Sequence, residues 1–390
     1  MKSVRAIFAS ACLGMLTFGI VLTILGAVLP AIIEQFGIDK AQAGSLFLLM
    51  TFAILAASLA VGPLVDRYGY KGMLLLGTAL IAAGLEGIAF APSMLTLRVA
   101  IVFIGFGGGI INGGTNALVA DISTEAKHAN LNLLGVFFGI GAVGVPFVLA
   151  TLGERFAHST LISAVGALIL IPFLFIAATT FPAPKQPQGF PIAEAGRLIR
   201  DPLLLMMGLM LFLESGLEIT VGGWTSTFVH EELAVTARAA LVILSLYWLG
   251  MMLARITLGA LFRNIGPARA MYTCIAVGLI GSLLLLNTGD SKIAAVSVFM
   301  LGIGLATTFP TVLGFLGHRY AELSGTAFSL VIAMALCGGM LMPWVTGIVG
   351  GQYGMRGSFV IVPGALVLLA ILLGILTRGL RSDIRNQETQ

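Results

Sequence analysis

Charge is what this chain lacks. Only 10% of its 390 residues are Asp, Glu, Lys or Arg, while 58% are hydrophobic. An ordinary soluble domain carries about 25% charged residues. So apolar a chain has too little polar surface to face water, which excludes a soluble enzyme and a disordered scaffold. A net charge of +4 over the whole length makes no basic patch, so no nucleic-acid partner is expected. Cysteine is scarce too. Cys12, Cys274 and Cys337 each sit in an apolar segment away from any His cluster, and read as buried thiols rather than disulfide or metal ligands. No Asn-x-Ser/Thr sequon occurs, which favours a bacterial source. No nucleophile–base constellation or metal-ligand spacing appears, so neither an enzyme nor a cofactor is expected. The glycine run from Gly105 to Gly114 lacks the Gly-Lys-Ser/Thr of a phosphate loop and follows no strand; close helix packing explains it.

What the chain has is long apolar runs. A membrane span needs about 20 such residues, and twelve candidates follow one another. They cover roughly 6–33, 43–65, 72–91, 95–120, 130–152, 160–180, 203–229, 238–262, 269–289, 292–316, 325–349 and 356–378. The first is too long for the apolar core of a secretory signal. Helices are expected throughout, because barrel strands would alternate polar and apolar residues. With both termini in the cytoplasm, Lys and Arg divide fourteen inside to six outside, with Arg255 within span eight. That bias predicts a multi-pass protein of the cell (inner) membrane with cytoplasmic termini. A proline-rich stretch at 183–202 separates six spans in 1–182 from six in 203–390.

The halves repeat. Gly62 and Gly69 reappear 197 residues later as Gly259 and Gly266, and Gly105 and Gly107 as Gly302 and Gly304. Gly141, Pro146 and Gly153 return as Gly338, Pro343 and Gly350. The pattern fits helix crossings in two packed bundles, and also parallel halves that rock about a midplane site.

The loop after span two reads Gly62-Pro-Leu-Val-Asp66-Arg67-Tyr-Gly69-Tyr-Lys71. It resembles the Gly-x-x-x-Asp-Arg-x-Gly-x-Lys signature of the major facilitator superfamily. Three further stretches resemble its fucose/glucose permease-like branch: Gly109 to Asn116 in span four, Asn132 to Ala142 in span five and Glu218 to Trp224 in span seven. Gly304 to Pro310 in span ten is also similar. The resemblance implies an all-α membrane protein of twelve transmembrane helices in two pseudo-symmetric six-helix bundles. It also implies secondary transport through a cavity lined by spans one, four, seven and ten. Asp66, Arg67 and Lys71 would pair across helix ends in one state. There are departures: Gly26 and Asn112 stand where fucose permeases carry acids, Phe138 replaces a polar residue, and Gly135 replaces a histidine. Glu218 matches the sodium- and proton-dependent glucose-type members.

Polar residues in the spans converge on the same cavity, since they are costly in lipid and face the bundle interior. Glu214 and Glu218 are four apart and share a helix face. Two carboxylates so close in a low dielectric do not both ionise easily, which makes them candidate cation-coupling residues. Alternatively, one is protonated and bonded to a neighbouring helix. Asn112, Thr115, Asn116, Trp224 and Thr308 are candidate substrate-binding residues. Amides suit sugar hydroxyls and an indole face suits a pyranose; interhelical bonding and interfacial packing are the competing readings. Tyr247, Trp248 and Trp344 are secondary candidates. Arg255 is expected to snorkel or to pair near the Gly259 turn in a gating or structural role. Glu86 is expected to pair with Arg98. These readings predict cation-coupled (H+ or Na+) uptake of a neutral sugar by a monomer in the lipid bilayer. The alternative is proton-driven export of amphipathic compounds through a Met- and Phe-rich pocket; a non-transporting sensor or intramembrane enzyme is the remote third.

Overall fold

The computed structural model describes residues 2–123, 127–182, 200–261, 265–320 and 324–388. The linker predicted at 183–202 lies outside them up to residue 199. Among the described residues, eleven helices are long and apolar enough to cross a membrane. One of them, Lys40–Ala89, has 50 residues. A straight helix of that length would run about 75 Å, against about 30 Å of hydrocarbon. It breaks at Gly69, whose φ of 77° and ψ of 163° suit only glycine. Its two arms then lie against the same stretch of Met94–Ile122: Gly105 faces Met50 and Ala53 of the first arm, and Gly107 faces Gly77 and Ile81 of the second. The element is a hairpin of two spans, which brings the crossings to twelve. Both chain ends therefore lie on one side of the membrane, the terminal side; the other is called distal below.

Span one is Lys2–Phe36, and spans two and three are the arms of Lys40–Ala89. Spans four and five are Met94–Ile122 and Lys127–Leu152. Span six is split into His158–Leu168 and Leu170–Ala178. Spans seven, eight and nine are Pro202–Leu233, Ala237–Leu261 and Pro267–Asn287. Span ten is split into Ser291–Leu305 and Thr308–Arg319. Spans eleven and twelve are Ser324–Ser358 and Ile361–Glu388. The two splits share a cause. Pro172 and Pro310 each fall in the first turn of the second piece, the one helical place that tolerates a missing N–H.

The sequence repeat is a packing repeat. A Cβ added to Gly105 would strike the carbonyl of Met50, and one added to Gly302 would strike that of Tyr247, 197 residues on. Gly107 faces the carbonyl of Gly77 and the side chain of Ile81, and Gly304 faces the carbonyl of Cys274 and the Cα of Gly278, again at that offset. Gly69 and Gly266 share the positive-φ conformation, at 77° and 80°. In spans one and seven the offset shortens by one: Gly141 packs on the carbonyl of Leu16 and Gly338 on that of Phe212. Gly26 and Gly222 obey the shortened offset and touch each other. Spans one and seven thus cross backbone to backbone on the pseudo-twofold axis.

The halves meet mainly at three seams. Span two packs on span eleven, span five on span eight, and span one on span seven. On the distal side two ion pairs run between halves. Lys40 Nζ lies 2.7 Å from Glu231, and Arg238 lies 3.1 Å from Glu154. On the terminal side Tyr70 donates to Asp121 at 2.6 Å and Tyr320 to Asp201 at 2.7 Å, each within its own half. Burial and the carboxylate acceptor push both phenols above the ordinary tyrosine range. A hydroxyl whose folded pKa is raised keeps its stabilising bond below the ordinary value and loses it only as pH climbs past the raised one. Both ties therefore hold across physiological pH.

Gly302→Ala places a methyl on the Tyr247 carbonyl and is expected to destabilise the protein by about 1–3 kcal/mol. Gly314→Ala, with open space around it, is expected to be neutral. Thermal unfolding in detergent checks both, and equal melting temperatures would refute the crossing as a tight contact.

Candidate functional site

Proline organises the seams. A proline in a helix has no N–H, so the carbonyl four residues before it loses its donor. In lipid that carbonyl must find another. Pro30 releases the carbonyl of Gly26, and Ser226 of span seven donates to it at 2.6 Å. Pro343 releases that of Gly339, and Thr51 of span two donates to it at 3.4 Å. Pro310 releases that of Ala306, and Arg255 of span eight donates to it at 3.4 Å. Three prolines thus each hand a carbonyl to another span. The first two bonds cross between halves.

Trp224 belongs to this closed distal region. It is fully buried, its indole N–H donates to the Pro343 carbonyl at 2.9 Å, and its ring stands 6.0 Å from that of Phe47 in the other half. Gly347 lets spans two and eleven approach closely beside it, against Lys40 and Trp224. In this conformation the indole offers no open face to a sugar; it plugs the distal side. The exposed Arg238–Glu154 pair contributes at most about 1 kcal/mol to that closure. Buried bonds and aromatic packing carry the rest.

Beneath the plug the chain is charged. Glu218 lies 3.6 Å from Arg255, with side-chain exposures of 13% and 25%, whereas Trp224, Phe228 and Thr225 toward the distal side are sealed. Openness therefore comes from the terminal side. Arg255 does not reach toward the Gly259 turn; it points to the midplane, bridging Glu218 and the break in span ten. Its guanidinium also lies 5.8 Å from the ring of Phe138 in span five, at the seam between halves. Phe138 in turn stacks near Phe18 and Trp248. Tyr247 donates to the backbone carbonyl of Glu218 at 3.4 Å.

Glu214 is fully buried, and no donor reaches either carboxylate oxygen. The charges of Glu218 and Arg255 both act on it. Thr308 is fully buried with no partner for its hydroxyl, and so is the indole N–H of Trp248. Thr308 follows directly on the span-ten break, a position that the proline two residues later marks in the sequence.

The asparagine face lies in the other half. Asn116 donates its amide to the Asn112 carbonyl at 2.9 Å and to the Asn112 side chain at 3.1 Å, and both residues are partly exposed. Thr115 is buried against Gly14 and returns its hydroxyl to the Ile111 carbonyl at 2.7 Å. Its side chain serves its own helix. At the turn after span two, Arg67 lies over the ring of Tyr68 at 5.3 Å. The described tie from that turn is the Tyr70–Asp121 bond, a tyrosine that the charged motif overshadowed. Asp66 and Lys71 flank it, half-buried. Glu86 accepts from Ser163 of span six at 2.8 Å rather than turning to Arg98. The thiols lie apart and unbridged.

The profile of the Major Facilitator Superfamily matches residues 11–322 and, in a second match, 226–389. The chain belongs to this superfamily. It is a transporter, not an enzyme. Relatives are distant but nearly full-length. Bypass of stop codon protein 6 of Saccharomyces cerevisiae is 24% identical, over 89% of this chain and 77% of that protein. Sodium-dependent glucose transporter 1 of Homo sapiens is 24% identical, over 88% and 73%. Multi-drug resistance efflux pump PmrA of Streptococcus pneumoniae is 22% identical, over 85% and 86%. Among solved structures, the nucleoside transporter NupG superposes with a TM-score of 0.78 at 16% identity, over 97% of this transporter and 99% of that chain. A bacterial homologue of human Spinster, described as inward-facing and unoccupied, gives 0.77 at 15%, over 96% and 97%. The transporter shares its fold with both.

A net hydrogen bond is worth about 0.5–1.5 kcal/mol. Ser226→Ala with Thr51→Val is therefore expected to raise the distal-open population severalfold. Distance measurements between spin labels on the distal ends of spans two and eleven check this; an unchanged distribution would show that the two bonds do not hold the gate.

Proposed function

We propose that this transporter couples the uptake of a neutral sugar, a hexose being the first to test, to entry of H+ or Na+ by alternating access. The observation that carries the reading is the Glu218–Arg255 pair: an ion pair at the midplane, partly open on one side and sealed on the other, beside the donor-less carboxylate of Glu214. A buried carboxylate is stabilised by a proton or a cation, and that is the requirement of a coupling group. The paired, partly exposed amides of Asn112 and Asn116 supply donors and acceptors for hydroxyls. A single cation near the site, already matched by an acid, suits an uncharged substrate. The name of the human relative supports this reading.

The excess of Lys and Arg on the terminal side supports a cytoplasmic location for that side. The conformation described is then cytoplasm-facing, in a cell membrane, with both substrate-binding halves supplied by one monomer. No cofactor beyond the coupling ion is required. Asp66, Arg67 and Lys71 serve the turn that moves between states.

A second reading, proton-driven export of amphipathic compounds, is favoured by the seam aromatics Phe18 and Phe138 and by relatives named as efflux pumps. Counterflow in proteoliposomes with a panel of labelled hexoses separates the two. Exchange of a hexose supports uptake; no exchange of any sugar, together with gradient-driven extrusion of a lipophilic dye, would favour export. In Glu218→Gln, concentrative uptake is expected to collapse while counterflow persists. Undiminished accumulation in that variant would remove Glu218 from the coupling role.

A further inference from the structure

The carbonyls released by Pro30, Pro310 and Pro343 are not capped alike. Those of Gly26 and Gly339 receive hydroxyls. That of Ala306 receives a cation. Arg255 places Nε 3.4 Å from the Ala306 carbonyl and Nη2 3.6 Å from Glu218 Oε2. The Nε–Nη2 edge is the fork that grips both oxygens of one carboxylate in a bidentate pair. Here one prong meets a carboxylate and the other a backbone carbonyl, so one guanidinium bridges oxygens of spans seven and ten. Both contacts are longer than a tight charge-assisted bond, about 2.7–2.9 Å, so the guanidinium is loosely held.

The surroundings are oxygen as well. The Ala306 carbonyl lies at the C-terminal end of Ser291–Leu305, the negative end of a helix dipole. Thr308, two residues on, is fully buried with an unpartnered hydroxyl. Interrupted helices are where transporters offer backbone carbonyls to a coupling cation. We propose that Glu218, the Ala306 carbonyl and the Thr308 hydroxyl form a binding site for a monovalent alkali cation, sodium in the first instance, and that Arg255 is a tethered cation filling that site in the distal-closed conformation. The proposal rests on the cation-coupled reading above and selects sodium over the proton.

Two observations give the exchange a course. The guanidinium lies over Phe138, a residue of the opposite half, at 5.8 Å. A rocking of the halves therefore changes the contact that positions Arg255. Glu214, one helical turn before Glu218 and without a donor, is where the guanidinium goes when it leaves. Charge balances while the ion is bound; once it has left, Glu214 takes a proton from the open terminal side, so no bare carboxylate is left buried. In the distal-open state Arg255 pairs with Glu214 and sodium with Glu218. In the distal-closed state Arg255 returns to Glu218 and the ion is expelled toward the terminal side. On this scheme the unpartnered Glu214 carboxylate is the second berth of a moving cation.

Sodium alone, without any sugar, tests the site. Thermal unfolding of the purified full-length protein would be followed in NaCl and in KCl at equal ionic strength, with equilibrium binding of radioactive sodium as a second readout. Wild type is expected to be stabilised by sodium over potassium. Arg255→Gln, which removes the competitor, is expected to lower the half-saturating sodium concentration tenfold or more. Adding Thr308→Val or Glu218→Gln to Arg255→Gln is expected to abolish the sodium effect; Thr308→Val, nearly isosteric, guards against a folding defect in the other. Equal responses to sodium and potassium in both wild type and Arg255→Gln would overturn the proposal. So would a sodium affinity indifferent to Thr308→Val and Glu218→Gln. Proton-driven hexose uptake without sodium binding would sink the sodium site and leave the coupled-uptake reading standing; sodium binding without hexose exchange would do the reverse.

Discussion

A carbonyl without a donor cannot be left in hydrocarbon, and much of this transporter follows from that constraint. Water satisfies such a group in a soluble protein at little cost. In a bilayer each one costs several kcal/mol. The prolines at 30, 310 and 343 create three of them, and each is met by a side chain of a different span. What would be a defect within one helix becomes an attachment between two. Because the donors are a serine, a threonine and an arginine, the attachments are single bonds that can be exchanged, which a transporter needs and a rigid bundle does not.

Glycine sets how close those attachments can come. Without a hydrophobic driving force between helices in lipid, association depends on packing. Gly105 and Gly302 bring spans four and ten onto the carbonyls of neighbouring spans, and Gly26 with Gly222 lets spans one and seven cross at the axis. The repeat of these contacts across the halves gives two bundles of like internal geometry. Their distal seam is shut by buried groups, Trp224 on Phe47 and on the Pro343 carbonyl among them, more than by its surface ion pairs. A seam of that kind opens as a unit when the halves rock.

Much of this was legible in the residues. Apolar runs set the twelve crossings, and a one-offset repeat of glycine and proline marked the halves. The signature from Gly62 to Lys71 located the turn, although the turn proved to be a single residue, Gly69. The buried polar residues of spans four, seven and ten were countable by composition. Their partners were not. Spacing said that Glu214 and Glu218 share a face; it could not say that Arg255, thirty-seven residues beyond Glu218, turns to the second and leaves the first without a donor. Trp224 and Thr115 read as substrate contacts by chemistry alone. They are a plug and a satisfied helix residue because of what packs against them, Pro343 and Gly14.

The sequence by itself determined the class of protein and the number of crossings. Those depend on hydropathy and helix length, both local to the chain. Only the tertiary structure decided which side is shut and who donates to each released carbonyl. It alone shows that Arg255 serves a carboxylate and a backbone oxygen together. Such pairings are set by distances between residues far apart in sequence, and helices of similar apolar composition leave no trace of them in the chain.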